Sequence, residues 1–487
     1  LAGIGFAPLI VAWFDGESLR PWWAVILLAL GSGLILFLIG RKGRAEQMGI
    51  KEGMAVTTLC WLAISLVASF GFWLGAPGTR FMQAWFEAMS GLTTTGSSIY
   101  GGYQIGEQSF GIAIEQLSQS VRLWRAILHW IGGIGIVVIS IALIPLLVGG
   151  SGFQMYRAEV PGLSADRLAP RIANTARILL GFYAILTLVG VVGLWLCGIG
   201  WYDAICHSFA TVSTGGFSTY DNSIEGLGSA AAEWFIIFGM LTAGLNFSLL
   251  ITAARGRPLR LLQSTETKVF LGMVLTAWVL LILSLGTHSQ LYEGHLHDLL
   301  RDTLFQTVSL CTSTGFGTGY DTVGLGWDGW PDGARLILLL CMIIGGCAGS
   351  TAGGIKVVRL VIAWLAARRE LRRFMEPARI TPVTIDGQPL KDRTILQVFA
   401  FVLIFAIFWL AGTAAFAWLG HQHDVATSAS LSALSNMGPG IGAIGSSKNF
   451  GIFDDASLTV SIFLMLLGRL EFFGVLIALH PGHWSKN

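Results

Sequence analysis

Apolar runs of about 20 residues recur along the whole chain, and no other feature limits its fold so strongly. They lie at roughly 24–40, 54–75, 126–149, 178–199, 231–253, 268–285, 394–419 and 457–479, and a further apolar stretch at 334–366 is interrupted in its middle. A helix of that length matches the hydrocarbon thickness of a bilayer. Of 487 residues, 54% are hydrophobic and 12% charged, which is about half the charge of a soluble domain. Lipid must therefore solvate much of the surface. Glycine is abundant, 63 residues against 13 prolines, and between membrane helices it lets backbones approach closely. The first apolar piece, Leu1–Phe14, is short for a span and reads as a truncated first helix.

The net charge of +2 carries no message, but its distribution does. Basic residues gather in four segments: Arg41, Lys42, Arg44 and Lys51; Arg157, Arg167, Arg171 and Arg177; Arg255, Arg257, Arg260 and Lys268; and a run from Lys356 to Arg393. The alternating segments are nearly free of them, and 198–230 has none. This asymmetry places the basic segments in the cytoplasm. Spread over several loops, it sets topology and gives no reason to expect nucleic acid as a partner. The six cysteines show no C-x-x-C spacing and read as small buried residues.

The outer segments resemble one another. Each holds a glycine closing a similar stretch: Gly96 in GLTTTGSS, Gly216 in TVSTGGFS, Gly315 in LCTSTGFG and Gly438 in ALSNMGPG. These glycines fall 120, 99 and 123 residues apart. Three positions before them stand Thr93, Ser213, Thr312 and Ser435; six before, Ser90, Ala210, Ser309 and Ser432; eight before, Ala88, Ser208, Thr307 and Ser430. Seven before are large apolar residues, Met89, Phe209, Val308 and Leu431. Repeats two and three also share an aromatic and a Tyr-Asp pair, Phe217, Tyr220 and Asp221 against Phe316, Tyr320 and Asp321. A repeat signifies one structural unit used several times. Here the unit is a spanning helix, a half-length helix, a Ser/Thr/Gly loop and a second spanning helix. Irregular backbone at membrane depth is tolerated where it lines a cavity or is buried in protein. The chain is therefore read as an all-α membrane protein. It has four pseudo-fourfold repeats of helix, pore half-helix, filter loop and helix around one pore, plus two extra N-terminal helices. The boundaries are 1–50 for the N-terminal pair, then 51–150, 151–258, 259–378 and 379–487 for the four repeats.

The loop chemistry suits a monovalent cation. Neutral carbonyl rings replace a hydration shell yet bind weakly enough to release the ion, and the loops carry Thr, Ser, Gly, Asn and Met with no acid or base. Glycine tolerates the torsions that aligned carbonyls need, and half-helices would aim their partly negative C-terminal ends at the axis. The expected carbonyl providers are Thr94, Thr95 and Gly96; Thr214, Gly215 and Gly216; Ser313, Thr314 and Gly315; and Asn436, Met437 and Gly438. Asp203, Asp221, Asp302 and Asp321 either raise the local cation concentration at the outer mouth or are solvated loop acids. Glu87, His207 and Gln306 share one position, nine before the glycine, and suggest a polar anchor for the half-helix.

Together these loops resemble the Trk/Ktr/HKT superfamily of potassium transporters. Trp130–Gly135 (WIGGIG), Tyr156–Gly162 (YRAEVPG), Gly345–Lys356 (GGCAGSTAGGIK) and Gly468–Glu471 (GRLE) resemble its TrkH branch, as do the two extra N-terminal segments. The resemblance covers essentially the whole chain. It implies potassium uptake across the bacterial inner membrane, with potassium as the bound ion and no organic cofactor. It also implies a homodimer and a cytoplasmic TrkA-like nucleotide-binding ring as partners besides the lipid bilayer. Its filter glycines fall on Gly96, Gly216, Gly315 and Gly438. Family members with serine at the first position tend toward sodium, so Gly96 favours potassium. The chain departs from the common pattern at Ala352, usually glycine, and at Ser435, often asparagine.

The second helix of repeat three is unusual on physical grounds alone. Gly345 to Gly354 contains no large side chain and five glycines, each costing about 1 kcal/mol in a helix interior. The helix should break there. A phosphate loop is excluded because Gly354 is followed by Ile355 and Lys356, with no G-K-[ST]. A packing face of small residues and a movable constriction both remain open. The resemblance assigns the stretch to an intramembrane gate comprising Gly345, Gly346, Gly349, Ser350, Thr351, Gly353, Gly354 and Lys356. Arg469 lies inside the last span, where a charge costs about 2.5–3.5 kcal/mol on insertion scales. It should face the interior, either holding this loop across the pore or tying two helices together. Glu471, two residues on, should point elsewhere. The basic run Arg368–Arg373 either docks a regulatory ring or only sets topology.

No H-E-x-x-H, G-x-S-x-G or matched His/Asp cluster supports an enzyme. A gated potassium-conducting subunit is the main reading, and a sodium- or proton-coupled potassium symporter of similar build is the alternative. Expression in a bacterium lacking potassium uptake is expected to restore growth at low potassium. Gly96→Ser should move the ion preference toward sodium. Growth over graded potassium and sodium concentrations checks both.

Overall fold

The computed structural model describes residues 1–41, 50–105, 108–142, 168–286, 292, 295–318, 326–377, 382–446 and 448–479. The motif at Tyr156–Gly162 and the pair Tyr320 and Asp321 lie outside them. Helices α1 (Ala2–Phe14) and α2 (Arg20–Gly40) open the chain and pack against each other. Next come α3 (Ile50–Gly75), α4 (Phe81–Leu92), the hairpin β1 (Tyr103–Ile105) and β2 (Gln108–Phe110), and α5 (Gln119–Ala142). They are followed by α6 (Leu168–Leu196), α7 (Trp201–Val212), α8 (Ala230–Gly244), α9 (Phe247–Ala254) and α10 (Leu259–Gln263). The third group is α11 (Thr265–Gly286), α12 (Leu296–Cys311), α13 (Asp332–Ile344) and α14 (Val357–Met375). A two-residue hairpin, β3 (Thr384–Ile385) with β4 (Gln388–Pro389), leads to α15 (Asp392–Trp418), α16 (His423–Ser435), α17 (Asp455–Arg469) and α18 (Phe473–Leu479). The two hairpins are the strands in an otherwise helical set of described residues.

Five long apolar helices fit a membrane span: Arg20–Gly40, Glu52–Gly75, Asn174–Leu196, Thr265–Gly286 and Asp392–Trp418. Their outward leucines and isoleucines are exposed, as expected where lipid is the neighbour. Four of these spans are each followed by a short helix, α4, α7, α12 or α16, of 12, 12, 16 and 13 residues. At 1.5 Å per residue these reach roughly 18–24 Å, less than the ~30 Å core. Indole N–H groups tie several of them to the preceding long helix. Trp85 bonds Ser65 Oγ at 3.1 Å, Trp278 bonds Thr303 Oγ1 at 3.1 Å and Trp409 bonds the Thr427 carbonyl at 3.2 Å. Glycines set the approach: a side chain at Gly190 would strike Ser208, and one at Gly412 would strike Ser430.

The interruption expected in 334–366 is present, since α13 ends at Ile344 and α14 starts at Val357. Two breaks were not expected. The run at 231–253 is bent by 109° between α8 and α9, and that at 457–479 is divided between α17 and α18. Asn246 causes the first: its Oδ1 caps α9 through Ser248 N (2.9 Å) and Leu249 N (3.2 Å), while its amide donates to the Ala348 carbonyl at 2.8 Å. At the second, Glu471 and Phe472 adopt φ of 53° and 63°, and the Phe472 N–H closes back on the Leu467 carbonyl at 3.0 Å.

Glu17, in the α1–α2 connection, supplies the cap of α5. Its carboxylate accepts from Gln119 N at 2.7 Å, Ser120 N at 3.2 Å and the Ser120 hydroxyl. Glu17→Ala is expected to cost about 0.5–2 kcal/mol, as loss of a helix cap does. Thermal unfolding in detergent should show a transition lowered by a few degrees.

Candidate functional site

Each short helix ends in the same turn. Two residues before each of the four glycines the backbone is left-handed: Thr94, Thr214, Ser313 and Asn436 have φ of 51°, 52°, 54° and 51°. The next amide reaches back five residues. Thr95 N donates to Ser90 O (2.9 Å), Gly215 N to Ala210 O (2.8 Å), Thr314 N to Ser309 O (2.8 Å) and Met437 N to Ser432 O (2.9 Å). This is a Schellman closure, which satisfies carbonyls that a helix end leaves free. Glycine is the usual residue at its left-handed position, and a β-branched one is an outlier there.

The glycines two residues on bring the turns together. Gly96, Gly216 and Gly315 have φ of 83°, 86° and 83°. A Cβ on Gly96 would strike the Gly215 carbonyl, and one on Gly216 the Thr314 carbonyl. One on Gly315 would lie 2.9 Å from Gly438 N, and one on Gly438 would lie 2.9 Å from the Gly96 carbonyl. The four backbones thus meet in a closed circuit, with the Pro439 ring beside the contact of Gly315 and Gly438. A cavity of about 90 Å³ opens over this circuit, lined by all four glycines together with Ser97, Pro439 and Asp221. All twelve expected carbonyl providers belong to these four turns.

Buried side chains brace the segments just after the glycines. Glu87 accepts from Ile99 N at 3.0 Å and from Ser98 Oγ at 2.9 Å. His207 Nε2 meets Ser218 Oγ at 2.9 Å, and Gln306 donates to the Thr318 carbonyl at 3.2 Å. One polar side chain at one register position thereby anchors each of three loops. Sequence reading missed Arg125 and His129, both on α5. Arg125 pairs with Glu87 at 2.9 Å, donates to the Ser218 carbonyl at 2.7 Å and lies 4.1 Å from the centre of the Phe217 ring. His129 Nδ1 donates to the Gly91 carbonyl at 2.8 Å, leaving Nε2 to accept from Phe217 N at 3.1 Å. The signal was an arginine at the edge of an apolar run and a histidine inside it, after a glutamate set among apolar residues.

The outer acids divide. Asp203 accepts from Thr219 (2.6 Å) and Tyr220 (2.9 Å), and Asp302 lies against Arg301 (3.5 Å) and Tyr292 (3.2 Å), so both are held by neighbouring side chains and neither is a merely solvated loop acid. Asp221 does line the cavity, where it joins two loops by accepting from Gly102 N (2.9 Å) and Ile114 N (2.7 Å). Burial pushes its carboxyl above the ordinary value, against the pull of those two amides.

The glycine-rich loop meets the turns from the side of the helix ends. Thr351 Oγ1 donates to the Val212 carbonyl at 3.1 Å, Gly353 N to Ser313 Oγ at 2.6 Å and Gly354 N to the Ser435 carbonyl at 3.0 Å. Gly345, Gly349 and Gly354 are left-handed, as is Lys356 at φ 78°. A Cβ on Gly346 would strike Ala352, the Ser350 hydroxyl turns to the Cys347 carbonyl at 2.5 Å, and Lys356 Nζ donates to the Ala352 carbonyl at 2.9 Å. Arg469 is buried; Nη1 donates to the Thr351 carbonyl at 3.0 Å and Nη2 to the Gly132 carbonyl at 3.3 Å. Glu471 turns away and pairs with Arg359.

Long apolar helices around a neutral, backbone-lined constriction define a membrane transport protein. The TrkH family model, described as cation transport protein, matches residues 25–485. Trk system potassium uptake protein TrkH of Salmonella typhimurium is 33% identical over 97% of this chain and 93% of its own length. That of Vibrio parahaemolyticus is 34% identical over 99% and 96%. The crystal structure of the potassium transporter TrkH from Vibrio parahaemolyticus superposes with a TM-score of 0.85 at 30% identity, covering 99% of this chain and 96% of that one. This chain belongs to the TrkH family.

Arg125→Met leaves the Glu87 carboxylate buried without its counter-charge. Breaking such a pair costs about 3–5 kcal/mol. Thermal unfolding should show a large loss for the single variant and partial recovery when Glu87→Gln is added.

Proposed function

We propose that this chain is the membrane subunit of a potassium uptake system of the bacterial inner membrane. It carries the ion and is not an enzyme. The observation that carries the reading is the closed circuit of Gly96, Gly216, Gly315 and Gly438 beneath one cavity. Four copies of one turn, related by a pseudo-fourfold axis, form the filter. In it, carbonyls of Thr94 to Gly96, Thr214 to Gly216, Ser313 to Gly315 and Asn436 to Gly438 replace water around potassium. The four repeats at 51–150, 151–258, 259–378 and 379–487 each supply one quarter, and the pair at 1–50 packs outside them.

The loop from Gly345 to Gly354 is the gate. It is joined to three of the four turns, and Arg469 ties it to α5. The guanidinium places positive charge next to the path and opposes cation passage while the loop stays there. The exposed basic end of α14, with Arg368, Arg372 and Arg373, suits a cytoplasmic TrkA-like regulatory ring, and two copies of the chain form the working unit.

Protein reconstituted in liposomes is expected to take up potassium tracer down its gradient. Arg469→Ala should raise that flux several-fold without any regulator. Unchanged or slower flux through well-folded variant protein would refute the gate, and no uptake by either protein would refute the filter.

A further inference from the structure

Helices α6, α7 and α8 enclose a second cavity, of about 170 Å³, away from the ion path. Its walls are Val189 and Gly190 on α6, Thr211 and Val212 on α7, and Phe238 and Gly239 on α8. The two glycines bring the helices together at its edges: a Cβ on Gly239 would lie 2.8 Å from Thr211 Cγ2, and one on Gly190 would strike Ser208. The hydroxyls around it are already committed. Ser208 Oγ donates to the Thr187 carbonyl, Thr211 Oγ1 to His207 and Thr242 Oγ1 to Phe238, each at 2.7 Å. Water needs two or more polar partners, and an apolar cavity of about 150 Å³ stays dry and takes up benzene-sized molecules. The mouth faces outward between helices: Phe238 is 63% exposed and Val189 56%. At this height of a spanning helix, the medium at the mouth is lipid hydrocarbon.

We propose that this hollow is a binding site for the acyl chain of a bilayer lipid. Lipid outside is as apolar as the lining, so entry gains no hydrophobic transfer energy. What it gains is dispersion contact with walls that otherwise face a void. The inner wall carries a consequence for transport. The carbonyls of Val212 and Ala243 both accept from Thr351 Oγ1, at 3.1 and 3.4 Å, so an inserted chain presses on the junction of α7, α8 and the glycine-rich loop. The site itself rests only on the membrane setting, and occupancy can be read without measuring transport.

The test uses the full chain in nanodiscs of phosphatidylcholine bearing a mid-chain diazirine, with photoadducts mapped by mass spectrometry. Thr211 and Val212 are buried, out of reach of lipid that merely surrounds the protein, so adducts there report entry. Val189→Trp fills the mouth and is expected to lower those adducts about tenfold, with adducts at the lipid-facing Leu283 unchanged. Leu186→Phe, which narrows the same hollow, should act in the same direction and serves if Val189→Trp fails to fold. Absence of adducts at Thr211 and Val212 while Leu283 is labelled would overturn the proposal. So would yields that neither variant changes, or Phe238→Cys copies that cross-link across the mouth, since a second chain would then be the cover.

Discussion

A backbone carbonyl or amide inside a bilayer has no water to turn to, and each one must find a partner within the protein. Each of the four short helices that follow a long apolar span ends inside the protein, where Thr93, Ser213, Thr312 and Ser435 are buried, so each faces that demand. The answer is the same turn four times, with an amide reaching back five residues across a left-handed one. None of the four left-handed residues is glycine, and such a conformation costs ~1–3 kcal/mol for other residues. At three of them the side chain does something glycine cannot, Thr214 Oγ1 donating to the Ser213 carbonyl at 2.7 Å. Ser313 accepts from Gly353 N, and Asn436 donates to Thr95 Oγ1 at 3.1 Å and to the Met465 carbonyl at 2.8 Å. Nothing in the structure gives Thr94 a comparable task.

The bracing behind the turns is unequal. The first loop is held by an ion pair, the second by a histidine and the third by a glutamine amide. In the fourth, Ala429 stands at that position, and Ser432 bonds the Gly438 carbonyl at 2.9 Å instead. A buried carboxylate and guanidinium need each other, because removing either strands the other's charge. Arg125 also reaches Ser218 of the second loop, so the stiffest brace spans two quarters.

The parts legible in the sequence were those where backbone geometry restricts residue type. The glycines at 96, 216, 315 and 438 stood out because any Cβ there collides with a neighbouring loop. The stretch from Gly345 to Gly354 stood out because five glycines cannot sustain a helix. The breaks at Asn246 and Glu471 were hidden. A single capping asparagine inside an apolar run costs hydropathy nothing visible, and its amide is engaged by Ala348, about a hundred positions away. The hydrogen bonds of Asp203 and Asp302 were hidden for the same reason, since their partners are fixed by the fold. Arg125 escaped because it is meaningful only opposite Glu87, 38 residues earlier.

The glycine-rich loop touches Val212, Ser313 and Ser435, and Arg469 extends its reach to Gly132. These contacts lie on all four quarters of the chain and share one short segment. Withdrawing the segment breaks these bonds together, because Thr351, Gly353 and Gly354 lie within four consecutive residues and Arg469 holds the Thr351 carbonyl. On the proposal that this segment is the gate, a latch fastened in this way releases as a whole, and the passage has two settings, shut and clear.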